Sequence, residues 1–460
     1  MNTYDYGLQA FRTENLVKEL NKILQIDGNI LSEEINEYIW PRLDFLKGKS
    51  GSSRYFLIEE SYVETEWKDM ISVHYINTSY LFSNTVMRVH IFMRKEVSNE
   101  AYMGFFTLRK IDEVRIMLSF IYPNWERIAY QRKHLYVMTY LKKVHIQGTE
   151  LIMHTYPLFV QDNLTIACAQ ADIISMTKYL HYKFDTNALR INDFIAALSK
   201  KKTKLFPTNG MTLSEIMEVF NDCHIQIQYL MIDGERQRYM EMYRAYVDYS
   251  IESGIPVLVG GAIEDKEGRL NKHVIQIIGH TKQDRKKYVI YDDSGYFIEA
   301  VYNTKGFVKV TNWEKLYKAF EKETSFLIYP IHEKVYLLYD DIKEMFTARY
   351  NTFTELNMLM KNKLAFFNST RYLLVDNRAI KKFLREKLFD KDTLEIEKIQ
   401  IKELLKRNMS HYIWYCEVPL STGGYLIFLA DTVFSKMSTK DIFFVDALYS
   451  NTQLSLLSYS

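Results

Sequence analysis

The spacing of apolar positions changes character several times along the chain, and each change predicts an element. Leu16, Leu20, Ile23 and Leu24 share one helical face, a second helical run covers about Ser32–Leu46, and Lys47–Ser53 breaks it. The period then shortens. Thr85–Arg94 alternates, and Tyr102–Arg109, Val114–Ile121 and Leu135–Val144 are strand-like. Residues 1–150 are therefore expected to form a helical lead-in and a mainly antiparallel sheet.

From Cys168 to about Tyr182 the helical period returns. Ala171, Ile174 and Tyr179 lie on one face, and Ile173, Thr177 and Leu180 widen it to the breadth of a buried helix. A short helix follows at Asn192–Leu198, and Thr212-Leu213-Ser214-Glu215 is a capping box that starts another, running through Phe220. His224–Met231 alternates as a strand, Glu235–Ile251 is helical, and Gly254-Ile255-Pro256 stops that helix. Three strands close the region: Val257–Gly260, His273–Gly279 and Tyr288–Tyr291. Helices followed by an antiparallel sheet define an α+β domain over 151–330. Beyond Tyr329-Pro330 the pattern resets. Helices at about Asp341–Thr352, Asn377–Leu388 and Glu395–Arg407 precede strands at His411–Val418, Tyr425–Ala430 and Ile442–Leu448, a further α+β unit over 331–460 without recognisable chemistry.

Composition narrows the function classes. Of 460 residues, 47% are apolar and 25% charged, the balance of a globular protein, and a net charge of +2 gives no pull toward nucleic acid. No apolar run reaches the ~18 residues of a membrane helix, and the N-terminus lacks an apolar signal core, so a cytoplasmic protein without a membrane partner is expected. Three widely spaced cysteines (Cys168, Cys223, Cys416) fit neither a disulfide framework nor a cysteine-ligated zinc. His74, His90, His134, His145 and His154 lack metal-ligand spacing, so no metal or cofactor is expected.

The remaining chemistry gathers around Cys168. In the first turn of a helix, unpaired N–H groups and the helix dipole favour a thiolate, although a small buried cysteine is the commoner use of such a position. A nucleophilic cysteine needs a base, and the base needs a group to fix its tautomer. His273 opens a buried strand after a polar loop. Asp292 ends the next strand, where an antiparallel hairpin returns to the same end of the sheet. The same residues also fit a strand-edge histidine and a surface turn, Asp292-Asp293-Ser294-Gly295. Strand alternation would point Asp293 away from His273, and His280, at the far end of its strand, is expected to be structural.

Taken in order, these residues resemble the papain-like cysteine peptidases, nearest to the branch of bacterial double-glycine leader peptidases. The resemblance covers about 155–330. It is carried by Gln161, Cys168-Ala169-Gln170-Ala171, the strand Ile255–Val259, His273–Gly279 and Val289-Ile290-Tyr291-Asp292. It implies Cys168 as nucleophile, His273 as base, Asp292 as its orienting group and Gln161 as oxyanion donor, with Asn163 the alternative. Two features depart from the family. Gln161 stands one residue further upstream of Cys168 than is usual, and Ala169-Gln170 follows the cysteine where the leader-peptidase branch has Gly-Pro. The implied activity is hydrolysis of a protein or peptide by acyl transfer. An acyltransferase or deamidase could use the same triad, and a catalytically silent binding protein could keep it. The flanking domains would serve to bind a protein partner.

Overall fold

The computed structural model describes residues 9–24, 54–73, 83–111, 116–121, 135–161, 168–199, 211–232, 236–281, 287–304, 308–320, 325–332, 338–356, 370–391, 395–419, 425–432 and 442–444, apart from single positions within those spans and a few isolated residues. The expected helix at Ser32–Leu46, the break at Lys47–Ser53, and His74, His134, Asn163 and Cys223 fall outside them, Ile35 and Ile39 excepted.

The protein is mixed α+β, with antiparallel sheets and several helices. The chain divides into two compact units: residues 1–240 with 256–330, and residues 241–255 with 331–460. Among the described residues, no helix is long and apolar enough to cross a membrane.

The first unit contains two large sheets. One has six strands in the order Gln9–Phe11, Arg54–Tyr62, Val86–Phe92, Tyr102–Leu108, Ile116–Ile121 and Leu158–Phe159, each antiparallel to its neighbour. Leu16 and Leu20 of the helix Thr13–Leu24 join its core with Phe56, Val89, Ile91 and Phe106. The other sheet runs Gln226–Ile232, Ser325–Ile331, Val257–Glu264, Leu270–Thr281, Lys287–Tyr291 and Val308–Asn312. A seventh strand, Leu135–Val137, pairs with Gly279–Thr281. The apolar run Leu135–Val144 is therefore not one strand. It divides after Val137, and Tyr140–Ile146 pairs instead with Thr149–Thr155. Gly279 permits the seventh strand, because a Cβ there would stand 2.2 Å from the Tyr136 carbonyl oxygen.

The strand carrying His273 is longer than its apolar run. Leu270–Lys272 pair with Ala262–Glu264, so the strand spans Leu270–Thr281 and His273 lies inside it instead of opening it. Backbone pairing continued the strand through polar side chains that carry no hydrophobic signal.

Helix Leu213–Asp222 starts at the capping box. The Thr212 N–H donates to Glu215 Oε2 at 2.7 Å, and the Glu215 N–H returns to Thr212 Oγ1 at 3.4 Å. Thr212→Ala should lower stability by about 1 kcal/mol, read as a shift in the urea midpoint. An unchanged midpoint would show that the cap is satisfied by solvent.

In the second unit the sheet runs Arg371–Asp376, Tyr412–Pro419, Tyr425–Asp431 and Ile442–Phe444, all antiparallel. Helices Asn377–Phe389 and Glu395–Lys406 cover it through Ile380, Phe383, Leu384, Ile401 and Leu404. Arg371–Asp376 was not expected as a strand, since its apolar positions run together without alternation. Arg371 sits between two buried carboxylates, donating from Nε to Glu252 at 2.7 Å and from Nη1 to Glu417 at 3.4 Å.

Candidate active site

Cys168 is the first residue of the helix Cys168–Phe184, which is buried from Ala169 through Thr177, while Cys168 itself is half-buried. The thiol therefore stands where the helix emerges. The same helix carries buried polar groups that an apolar stripe does not account for, among them Asp172, one turn beyond Cys168 on the same face.

His273 and Asp292 meet directly. His273 Nε2 lies 2.9 Å from Asp292 Oδ1, and both side chains are buried. They are not an opposed cross-strand pair. The ladder between their strands ends at Gln276↔Tyr291, short of both, and the imidazole reaches across diagonally. An ionised carboxylate only accepts, so the Asp292 contact puts the ring proton on Nε2 and leaves Nδ1 for a second partner. The Cys168 sulfur lies near enough to the imidazole to act on it. Burial alone would push the imidazole down. The charge and hydrogen bond of Asp292, with the Cys168 sulfur, hold it well above the ordinary histidine value.

Asp292 is itself fixed by the turn that follows it. Its Oδ2 accepts the Ile298 N–H at 3.0 Å, and Oδ1 also accepts the Ser294 N–H and hydroxyl at 3.4 Å. Gly295 makes this possible by taking a left-handed conformation, φ 74°, ahead of the helix Tyr296–Tyr302. That helix presents Tyr296, whose ring stands edge-on to the imidazole at 5.6 Å and whose hydroxyl accepts from Asn271 Nδ2 at 2.6 Å.

Asp293 does not turn away from this cluster. Its carboxylate is buried, and one oxygen lies within 4.8 Å of both the His273 ring nitrogen and an Asp292 oxygen. Alternation fails here for a physical reason: the strand ends at Tyr291, so Asp293 belongs to a bend with no two-residue period. Neither of its carboxylate oxygens has an aligned hydrogen-bond partner, although the backbone N–H groups of Asp293 and Ser294 lie nearby. Burial pushes its carboxyl up to about 7, with the Asp292 charge adding to the rise and His273 opposing it.

Gln161 follows the strand Leu158–Phe159 and is half-buried, upstream of residues 162–167 that lie outside the described set. His280 is buried, with Nδ1 2.9 Å from the Thr281 carbonyl and its ring beside Tyr136, away from the cluster. Residues that the sequence reading passed over are Asp172, Gln276 and Tyr156. Gln276 donates from Nε2 to Asp172 Oδ1 at 2.8 Å and accepts from the Tyr156 hydroxyl. One signal for them existed, a lone carboxylate among the apolar positions of the first turns of that helix.

Among the described residues, His273, Asp292 and Asp293 are also the convergence of potential metal ligands. Two of the three are already committed, the His273 N–H to Asp292 and Asp292 to His273, Ser294 and Ile298. That leaves one uncommitted carboxylate, short of the four ligands of a closed zinc site. The arrangement suits proton transfer between a thiol and an imidazole better than it suits metal binding.

No protein-family model matches this chain, and no curated protein matches it. Among solved structures it is similar to UfSP from C. elegans, at 14% identity and a TM-score of 0.27. The match covers 38% of this chain and 33% of that one, so the chain spans about a third of that structure.

Proposed function

We propose that the protein is a papain-like cysteine hydrolase, with a protein or peptide as its substrate. The observation that carries this reading is the buried His273–Asp292 pair, Nε2 to Oδ1 at 2.9 Å, with Cys168 at a helix start acting on the same imidazole. A buried structural cysteine has no need of a charge-supported histidine beside it.

In the reaction His273 Nδ1 takes the Cys168 proton, and the sulfur attacks an amide carbonyl. The developing oxyanion is held by the Cys168 N–H, which has no acceptor within its own helix, and by Gln161, with Asn163 as the alternative donor. His273 then returns its proton to the leaving amine, and water releases the acyl group by the same path. An amine acceptor in place of water would make the protein an acyltransferase. Asp292 keeps the tautomer correct and stabilises the imidazolium throughout. Residues 1–150 and 331–460 are assigned to partner or substrate selection around a catalytic region at 151–330, and the protein to the cytoplasm.

The test compares wild type with Cys168→Ala on a peptide library and on a cell lysate. Peptide or acyl-transfer products should appear with wild type alone. Identical product sets from the two proteins would overturn the assignment.

A further inference from the structure

Asn271 stands two residues before His273 on the strand Leu270–Thr281, so both side chains leave the same face. The mechanism above uses only the histidine. Asn271 is exposed and His273 buried, and the half-buried Tyr296 touches both. The Asn271 amide donates from Nδ2 to Asp265 Oδ2 at 3.3 Å and to the Tyr296 hydroxyl oxygen at 2.6 Å. A carboxylate only accepts, so Asp265 fixes which end of the amide faces Tyr296.

Asp265 is itself locked by the turn it begins. Its Oδ1 accepts the N–H groups of Glu267 and Arg269, each at 2.9 Å, and Oδ2 also accepts from Arg269 Nε at 2.9 Å. Tyr296 is tied to the catalytic pair from the other side. Its N–H donates to Ser294 Oγ at 3.4 Å, and the Ser294 hydroxyl donates to Asp292 Oδ1 at 3.4 Å. Among the described residues, Tyr296 is the one aromatic ring against the imidazole, T-shaped at 5.6 Å. A hydrogen bond to a charged group is strong only while water is kept from it.

We propose that Tyr296 is a cover over the His273–Asp292 pair, held closed by Asn271 and Asp265, so that the exposed turn Asp265–Asn271 is part of the catalytic apparatus. The ring shields the Nε2–Oδ1 hydrogen bond from water and fixes the plane of the imidazole. All three are positioning residues, which act through His273 and do not touch the reacting atoms. The inference rests on the reading of Cys168 and His273 as a catalytic dyad.

The experiment follows exchange of the His273 Nε2 proton with water by NMR, together with the rate of Cys168 alkylation by iodoacetamide at about pH 6. Asn271→Ala and Tyr296→Phe each remove one member of the clasp and keep the ring. Each should speed exchange by about tenfold, the weight of one lost hydrogen bond in an opening equilibrium. Combined, they should do no more than either alone, because both break the same contact. Tyr296→Ala removes the cover and should speed exchange further. Alkylation should slow in the same order. Lys266→Ala is the control: it cuts the exposed 3.2 Å pair with Glu299, which joins the same turn to the same helix, and should leave both readouts unchanged. Tyr296→Phe removes a single oxygen, so the test does not depend on how well the truncations fold.

Exchange unmoved by Asn271→Ala and Tyr296→Phe, additive effects of the two, or an equal effect of Lys266→Ala would overturn the proposal. Faster exchange with unchanged alkylation would remove the positioning role. A wild-type Cys168 that fails to alkylate overturns the hydrolase reading instead, and exchange alone then decides whether Tyr296 covers the pair.

Discussion

Asp292→Asn is expected to cut turnover by about 10- to 1000-fold while leaving the protein folded. The direction follows from the contacts of the carboxylate. One oxygen accepts the Ile298 N–H at 3.0 Å, and the other faces His273 Nε2 at 2.9 Å. An asparagine satisfies Ile298 only with its carbonyl oxygen, which turns its NH₂ toward His273. The imidazole must then accept at Nε2 and carry its proton on Nδ1, the nitrogen assigned to the thiol, where it cannot act as a base. Turning the amide over sets its NH₂ against the Ile298 N–H, donor to donor. Serine enzymes lose about four orders of magnitude to the corresponding change. A thiol ionises more readily and should lose less. The comparison of kcat for Asp292→Asn and wild type, with circular dichroism confirming the fold, decides it. Equal rates would remove Asp292 from the site.

The second large effect lies in the second unit and concerns stability alone. Arg371, half-buried, lies between the buried Glu252 and Glu417, and Glu417 also accepts from the Tyr415 hydroxyl at 3.1 Å. Arg371→Ala takes the guanidinium away from two buried carboxylates, which costs about 3–5 kcal/mol. By contrast, Lys406→Ala breaks an ion pair with Glu403 in which both side chains are more than half exposed, and should be nearly silent. Urea melts of the three proteins measure the difference. Equal midpoints for Arg371→Ala and wild type would show that the two glutamates are solvated or protonated at no cost.

Several parts of this picture are legible in the sequence because the forces behind them are local. The helix beginning at Cys168 follows from apolar spacing, and the helix at Leu213 follows from a capping box that the side chains then form. Asp292 could be placed near His273 because a hairpin returns to its own end. Two failures come from misplaced strand ends, because alternation describes a side chain only while the strand lasts. Asp293 lies past the end of its strand, and His273 sits inside a strand lengthened by polar residues. The Tyr156–Gln276–Asp172 chain joins residues far apart in sequence, so no spacing rule reveals it. Arg371–Asp376 carries no alternation to mark it as a strand.

The central claim is that Cys168 is a nucleophile supported by His273, and thiol labelling tests it most directly. Wild-type protein at about pH 6, where an ordinary thiol is almost wholly protonated, is treated with iodoacetamide and mapped by mass spectrometry. Cys168 is expected to label stoichiometrically while Cys416, buried and pushed well up by that burial, stays silent. His273→Ala should slow the labelling of Cys168 by at least an order of magnitude. Labelling of Cys168 no faster than that of a free thiol, or unchanged by His273→Ala, would contradict the account.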